Sequence, residues 1–260
     1  MTGIVYSNDL ISPSIYKMGI QLGDTAESIQ AGQFAHVRCG QSYDPLLRRP
    51  ISVCQIDAEN GIIYITYQVK GKGTRWLAEQ AIGSKLDILC PLGNSFEAVM
   101  PADINEIWLV GGGIGVFPLQ LLAQQYKDKA DMVSILGFRS DEFKPLWQPF
   151  EQYSKRVIIA TEDGSYGYEG LVTDELILAL RAHKPQIIAG CGPSKMLKSL
   201  ACIAEQYDVP CVVSLEERMG CGIGACLVCN CKIKSDDEWH YRRVCTDGPV
   251  FWSHEVSFDE

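Results

Sequence analysis

Through the first hundred residues, short runs of β-branched and aromatic residues alternate with turn-forming clusters, and no helical period persists. Residues 33–39, 51–56, 61–69 and 85–90 each have the length and the Val, Ile and Tyr content of a strand. Glu59-Asn60-Gly61, Lys70-Gly71-Lys72-Gly73 and Pro91-Leu92-Gly93-Asn94 separate them with residues that favour tight turns. This spacing predicts a small antiparallel barrel over residues 1–100, closed or capped by one short helix near residues 74–80.

After Pro101 the rhythm changes. Apolar strands at residues 106–110, 132–138, 156–160, 186–190 and 211–215 alternate with helical patterns at 117–126, 173–182 and 194–206. That alternation predicts βαβ units around a parallel sheet covered on both faces, occupying residues 101–215. A cysteine-rich tail, residues 216–260, forms a third unit. It contains the chain's one charge run, Asp236-Asp237-Glu238, expected to be a solvated loop.

A chain of 260 residues suits two domains and an appendage better than a single core. With 47% hydrophobic and 21% charged residues it can bury those cores and is not expected to be disordered. A net charge of -9, with no Lys/Arg-rich block, argues against a nucleic-acid partner or an anionic membrane surface. The N-terminus lacks the basic flank and apolar stretch of a secretory signal, and no window reaches the ~20 apolar residues that span a bilayer. The expected location is the cytoplasm, where thiols stay reduced.

There the eleven cysteines read as ligands or core residues rather than disulfides. Cys39, Cys54, Cys90, Cys202 and Cys211 have apolar neighbours and are expected in the core. Cys221, Cys226 and Cys229 follow the C-x4-C-x2-C spacing of plant-type [2Fe-2S] proteins, with Cys245 as a distant fourth thiolate. Gly220, Gly222 and Gly224 let a loop curl tightly around an inorganic core and bring amides near its sulfurs. Zinc is the alternative, although structural zinc sites commonly join two close-spaced cysteine couples. Cys231 is surplus to the pattern: a free or core thiol, or a ligand in place of Cys229.

Two glycine turns carry further chemistry. Gly111-Gly112-Gly113-Ile114-Gly115 lies between a predicted strand and helix, where backbone amides can meet a pyrophosphate. It departs from strict G-x-G-x-x-G and has no Lys-Ser/Thr ending, so a plain tight turn is the rival reading. Cys191-Gly192-Pro193 ends a second strand in the same way, and parallel sheets bind ligands at such carboxyl ends. Arg48 and Arg49 stand just before a strand, and a guanidinium forks onto phosphate oxygens.

Read in order, these features resemble the ferredoxin–NAD(P) reductase superfamily, whose Arg-x-x-Ser flavin signature is matched by Arg49-Pro50-Ile51-Ser52. Leu215 to Cys226, with Val244 to Phe251, looks like the corresponding segment of dihydroorotate dehydrogenase B electron-transfer subunits. The resemblance covers nearly the whole chain. It implies an antiparallel flavin-binding β-barrel, a parallel-sheet nicotinamide-binding α/β domain and a small C-terminal [2Fe-2S] domain. It assigns Arg49, Pro50, Ile51, Ser52, Thr66, Tyr67, Gln68, Gly73 and Thr74 to FAD, with Tyr67 either a flavin partner or a half-buried strand aromatic. Ile51 replaces the aromatic that stacks on the flavin in many members. Gly111, Gly112, Gly113, Gly115, Pro118, Cys191, Gly192 and Pro193 are assigned to NAD, and Cys221, Cys226, Cys229 and Cys245 to the cluster.

The implied function is electron passage from the FMN of a dihydroorotate dehydrogenase catalytic subunit, through the cluster and FAD, to NAD+ in pyrimidine biosynthesis. The implied assembly is a heterotetramer of two of each subunit. The rival is a small subunit of a ferredoxin–NADP reductase or hydrogenase-type complex. Arg139 suits a 2′-phosphate and Asp141 a ribose hydroxyl, so NAD follows from the resemblance and not from these residues. No acid or base is required of this subunit, and His36, His183, His240 and His254 are expected in surface or core roles.

Overall fold

The computed structural model describes residues 1–40, 42–235 and 238–258. The chain opens with a hairpin that the sequence pattern does not reveal, β1 (Thr2–Ser12) against β2 (Ile15–Gln21). Register shifts after Val5 and Leu10 interrupt its two-residue alternation, so no clean strand period stands out. β3 (Phe34–Val37), β4 (Arg49–Asp57), β5 (Ile62–Gln68) and β6 (Lys85–Leu92) follow at the predicted places. They close as β1-β2-β5-β4-β3-β6, and closure leaves no unpaired edge. α1 (Lys72–Ala78) lies between β5 and β6; it starts early because the Thr74 hydroxyl accepts from the Lys70 and Gly71 amides.

After α2 (Phe96–Val99) come β7 (Glu106–Gly112), α3 (Val116–Tyr126), β8 (Asp131–Phe138), α4 (Lys144–Trp147), β9 (Arg156–Thr161) and β10 (Tyr168–Glu169). α5 (Val172–Ala182), β11 (Ile187–Cys191), α6 (Ser194–Gln206) and β12 (Cys211–Ser214) complete the alternation. Trp108 to Gly112 of β7 are all buried, as a central strand covered on both faces must be. β13 (Asn230–Ser235) and β14 (Glu238–Arg243) form a hairpin in the tail; Asp236 and Asp237 of the predicted charged loop lie outside the described residues. β15 (Val250–Trp252) then returns and pairs antiparallel with β12, giving the order β10-β9-β8-β7-β11-β12-β15. The tail is therefore stitched into the sheet.

Cys39, Cys54, Cys90 and Cys211 are buried as expected, but Cys202 is exposed. α6 turns Leu197, Leu200, Ile203 and Ala204 inward, and Cys202 falls on its other face. Among the described residues no helix is long and apolar enough to cross a membrane.

One continuous core joins the barrel to α3 and to one face of the sheet, while a second joins α5 and α6 to the tail. Polar contacts fix the first junction. Gln124 of α3 accepts from Ile56 N (3.0 Å) and donates to Ile56 O (2.7 Å). Gln125 accepts from Ala31 N (2.8 Å) and donates to Ile29 O (2.9 Å). Each amide thus continues the barrel's backbone pairing into the helix. Asn94, just beyond β6, does the same for the tail, exchanging two 2.9 Å bonds with Val250.

Gln125→Ala leaves the Ala31 N–H and Ile29 C=O unpaired at a half-buried junction, and is expected to cost about 1 kcal/mol or more. A lowered urea midpoint, with a larger loss for Gln124→Ala combined with Gln125→Ala, checks it.

Candidate functional site

The strand order reverses at β7, with β8 and β9 on one side and β11 and β12 on the other. Such a switch point opens a crevice at the carboxyl ends of the two central strands. Both glycine turns stand there, because β7 and β11 pair with Gly111 opposite Cys191. They touch: a Cβ on Gly115 would lie 2.5 Å from Gly192 Cα, and one on Gly112 would lie 3.3 Å from Pro193 Cδ. Gly113 has φ +57, the left-handed conformation that glycine tolerates best. Burial, then Glu216, pushes the Cys191 thiol far up, so it stays neutral.

A cleft runs from this crevice to the barrel. Arg49, Pro50, Ser52, Thr66, Gln68 and Thr74 line it on the barrel side, and Pro118 lines it on the sheet side. Ile51 borders it too, yet is 8% exposed and packs mainly in the barrel core. The Arg49 guanidinium donates to Leu47 O (2.6 Å) and lies on Gly73, whose Cβ would meet its Nε at 2.9 Å. Gly73 is thus the platform that holds the guanidinium. Tyr67 borders the cleft, but its ring stacks on Tyr16 at 6.0 Å and its hydroxyl donates to Asn8 (2.9 Å). It is a buried strand aromatic. A larger hollow beyond α6 contains none of these residues.

The cysteine loop follows β12. Gly222 (φ +73) and Gly224 (φ +80) curl it, and Leu227 takes φ +58. Inward amides then reach sulfur: Ile223 N and Ala225 N to Cys221 Sγ (3.4 and 3.3 Å), Cys221 N to Cys226 Sγ (3.4 Å) and Gly224 N to Cys245 Sγ (3.2 Å). The Ile223 amide leads in holding the Cys221 thiol down to about 6, close to a thiolate at neutral pH. Cys221 lies beside Cys226 and Cys245 beside Cys229, and Cys245 also feels the charge of Cys221. Among the described residues no three ligand-type side chains converge on one point. Arg243 ties the halves together, donating to Gly224 O (3.2 Å) and twice to Asp247 (3.1 Å each). Cys231 stays apart: burial pushes it up to about 12, and its thiol donates to Arg242 O (3.5 Å).

The fold adds residues that sequence patterns hide. Glu216 lines the cleft, where desolvation raises its pKa and Lys70 partly offsets the rise. In sequence it reads as one of two surface acids after a strand. Phe34 lines the same cleft, and His36, two residues on, is fully buried below the cysteine loop. Burial, then Arg48, lowers the His36 pKa.

Gly115→Ala drives a Cβ into Gly192 backbone that cannot swing aside, and is expected to lose about 1–3 kcal/mol of stability. Gly113→Ala meets no atom within 4 Å and carries only the left-handed strain, about 1–2 kcal/mol. Thermal denaturation of the two variants side by side should place Gly115→Ala at or below Gly113→Ala.

Comparison with known proteins agrees with this geometry. Residues 216–257 match the family model described as the iron-sulfur cluster binding domain of dihydroorotate dehydrogenase B. The dihydroorotate dehydrogenase B (NAD(+)) electron transfer subunit of Shouchella clausii (strain KSM-K16) is 44% identical over 228 residues, 87% of this chain and 86% of the relative. That of Geobacillus kaustophilus (strain HTA426) is 43% identical over 255 residues, 97% of this chain and 96% of the relative. A solved structure of an NADH-dependent reduced ferredoxin-NADP oxidoreductase superposes with a TM-score of 0.86 at 26% identity, over 98% of this chain and 90% of the other. With its barrel, switch-point turns and cysteine loop matched along nearly its whole length, the chain belongs to the family of dihydroorotate dehydrogenase B electron transfer subunits.

Proposed function

We propose that this chain works in the cytoplasm, in pyrimidine biosynthesis, carrying electrons from an FMN-bearing dihydroorotate dehydrogenase subunit to NAD+. The working assembly is a heterotetramer of two of each. One observation carries the reading: the cleft of Arg49–Ser52 is bordered by Ile114 and Pro118 beside the first glycine turn and by Leu215, Glu216, Glu217 and Met219, which lead into the cysteine loop. When bound, FAD exchanges a hydride with the nicotinamide and single electrons with the [2Fe-2S] cluster.

The protein's part is to hold and aim. Arg49, already fixed by Leu47 O and Gly73, presents its fork to the FAD pyrophosphate. Pro50, Ile51, Ser52, Thr66, Tyr67, Gln68 and Thr74, which border the cleft, would hold the FAD together with Gly73 beneath the Arg49 guanidinium. Gly111, Gly112, Gly113, Gly115 and Pro118, with Cys191, Gly192 and Pro193, let the nicotinamide dinucleotide approach bare backbone at the switch point. Cys221, Cys226, Cys229 and Cys245 would hold the [2Fe-2S] cluster, which would supply one-electron transfer. Three ligands in one glycine-rich loop with a distant fourth suit a [2Fe-2S] cluster better than the paired couples common at zinc sites. Amides already aimed at Cys221, Cys226 and Cys245 stabilise thiolate charge before any metal arrives.

Beside the exposed Cys226 stand Ile223, Leu227 and Val228, each more than half exposed. Such an apolar collar around a redox loop is a docking face for the catalytic subunit.

Cys226→Ser is expected to abolish iron and acid-labile sulfide in anaerobic preparations while FAD is retained, and Cys231→Ser to leave both at wild-type levels. Equal iron in the two variants would refute the ligand assignment. Leu227→Asp is expected to weaken co-purification of the catalytic subunit by about tenfold or more, as loss of a buried apolar anchor does, with NADH reduction of the flavin unchanged.

A further inference from the structure

His36 is completely buried, and its ring nitrogens meet only the backbone of Cys221 and Arg48, in geometry short of a full hydrogen bond. Among the described residues only Trp147 likewise buries a side-chain nitrogen without a full hydrogen bond. A buried polar group without a full partner is costly, so a fold keeps one for a reason. Its position supplies the reason. β3 turns Ala35 and Val37 into the barrel core and Phe34 and His36 outward. Across the strand pair, Phe34 stands opposite Ser52 and His36 opposite Pro50, two residues of the flavin signature. On its far side the imidazole presses on Gly222, where any Cβ would collide with Nδ1. The ring therefore fills the gap between the flavin-binding strand and the backbone that follows Cys221.

We propose that His36 is a positioning residue for electron passage: its imidazole spaces the Cys221–Gly222 backbone from the flavin strand, and its polar edge at Nδ1 faces the cysteine socket. The proposal rests on Cys221 being a cluster ligand and FAD lying on β4. It explains why position 222 is glycine, since φ +73 and the ring beneath it both exclude a side chain. It also explains why a buried polar ring with only weak backbone partners persists at this spot. Polar groups that surround a cluster tune its potential and orient its ligands.

The test uses the complete complex with its catalytic subunit and compares His36→Leu with His36→Asn, similar in branching but different in polar edge. Iron, FAD and the electron paramagnetic resonance spectrum of the reduced cluster are measured first, then the cluster potential, then the rate at which NADH-reduced flavin passes electrons to the cluster. His36→Leu is expected to shift the resonance spectrum and the potential and to slow flavin-to-cluster transfer by about tenfold or more. His36→Asn, whose amide overlies Nδ1, is expected to recover most of both, and loss of iron from His36→Leu alone would support the same role. Wild-type spectrum, potential and transfer rate in both variants, or equal damage in both, would overturn the proposal. A wild-type complex without any [2Fe-2S] signal would instead overturn the cluster assignment on which it rests.

Discussion

Helix α3 is held by two bodies at once, and that double attachment fixes the rest of the molecule. Its N-terminus is the glycine turn at the end of β7, while its C-terminal half offers Gln124 and Gln125 to barrel backbone. A helix has one axis and little freedom to bend, so satisfying both ends sets the angle and distance between barrel and sheet. The cleft bordered by Arg49 on one side and Pro118 on the other is the space that remains. Polar pairing supplies direction, and the shared apolar core beneath supplies most of the free energy.

The cysteine loop solves a different problem. Neighbouring thiols repel as they ionise, and the loop answers with backbone amides aimed at Cys221, Cys226 and Cys245 and with the Arg243 guanidinium near Cys245 and Cys229. That solution needs left-handed backbone, which Gly222 and Gly224 provide at low cost, and a brace, which Arg243 provides by joining Gly224 O to Asp247. The same curled loop leaves the side chains of Ile223, Leu227 and Val228 exposed. The geometry that stabilises thiolates is thus the same geometry that builds an apolar collar for a partner.

The tail is tied to both larger bodies. β15 extends the sheet through β12, and Asn94 binds Val250 from the barrel. Phe34 joins the core that contains Cys229 and Cys245, and His36 backs the loop from below. Three sets of chemistry therefore keep fixed mutual positions, which matters for one-electron transfer because its rate falls steeply with separation.

Much of this was legible in the residues alone. Cysteine spacing, glycine turns after buried strands and the Arg49–Ser52 signature depend on local geometry, and local geometry is written in short stretches of sequence. The barrel strands from β3 to β6 and the alternation from β7 to β12 were readable for the same reason. Whether a residue faces inward, and which distant segment it meets, is settled only by packing. Hence Cys202 turned outward from an apolar neighbourhood, the β1–β2 hairpin stayed hidden behind its register shifts, and β15 joined a strand whose paired residues lie 36 to 40 positions earlier in sequence. Glu216 in the cleft and His36 beneath Gly222 belong to the same class. Sequence determined which chemical groups the chain carries and how each short segment folds; tertiary structure decided which groups meet, because long-range contacts arise from the joint burial of surfaces that no single segment contains.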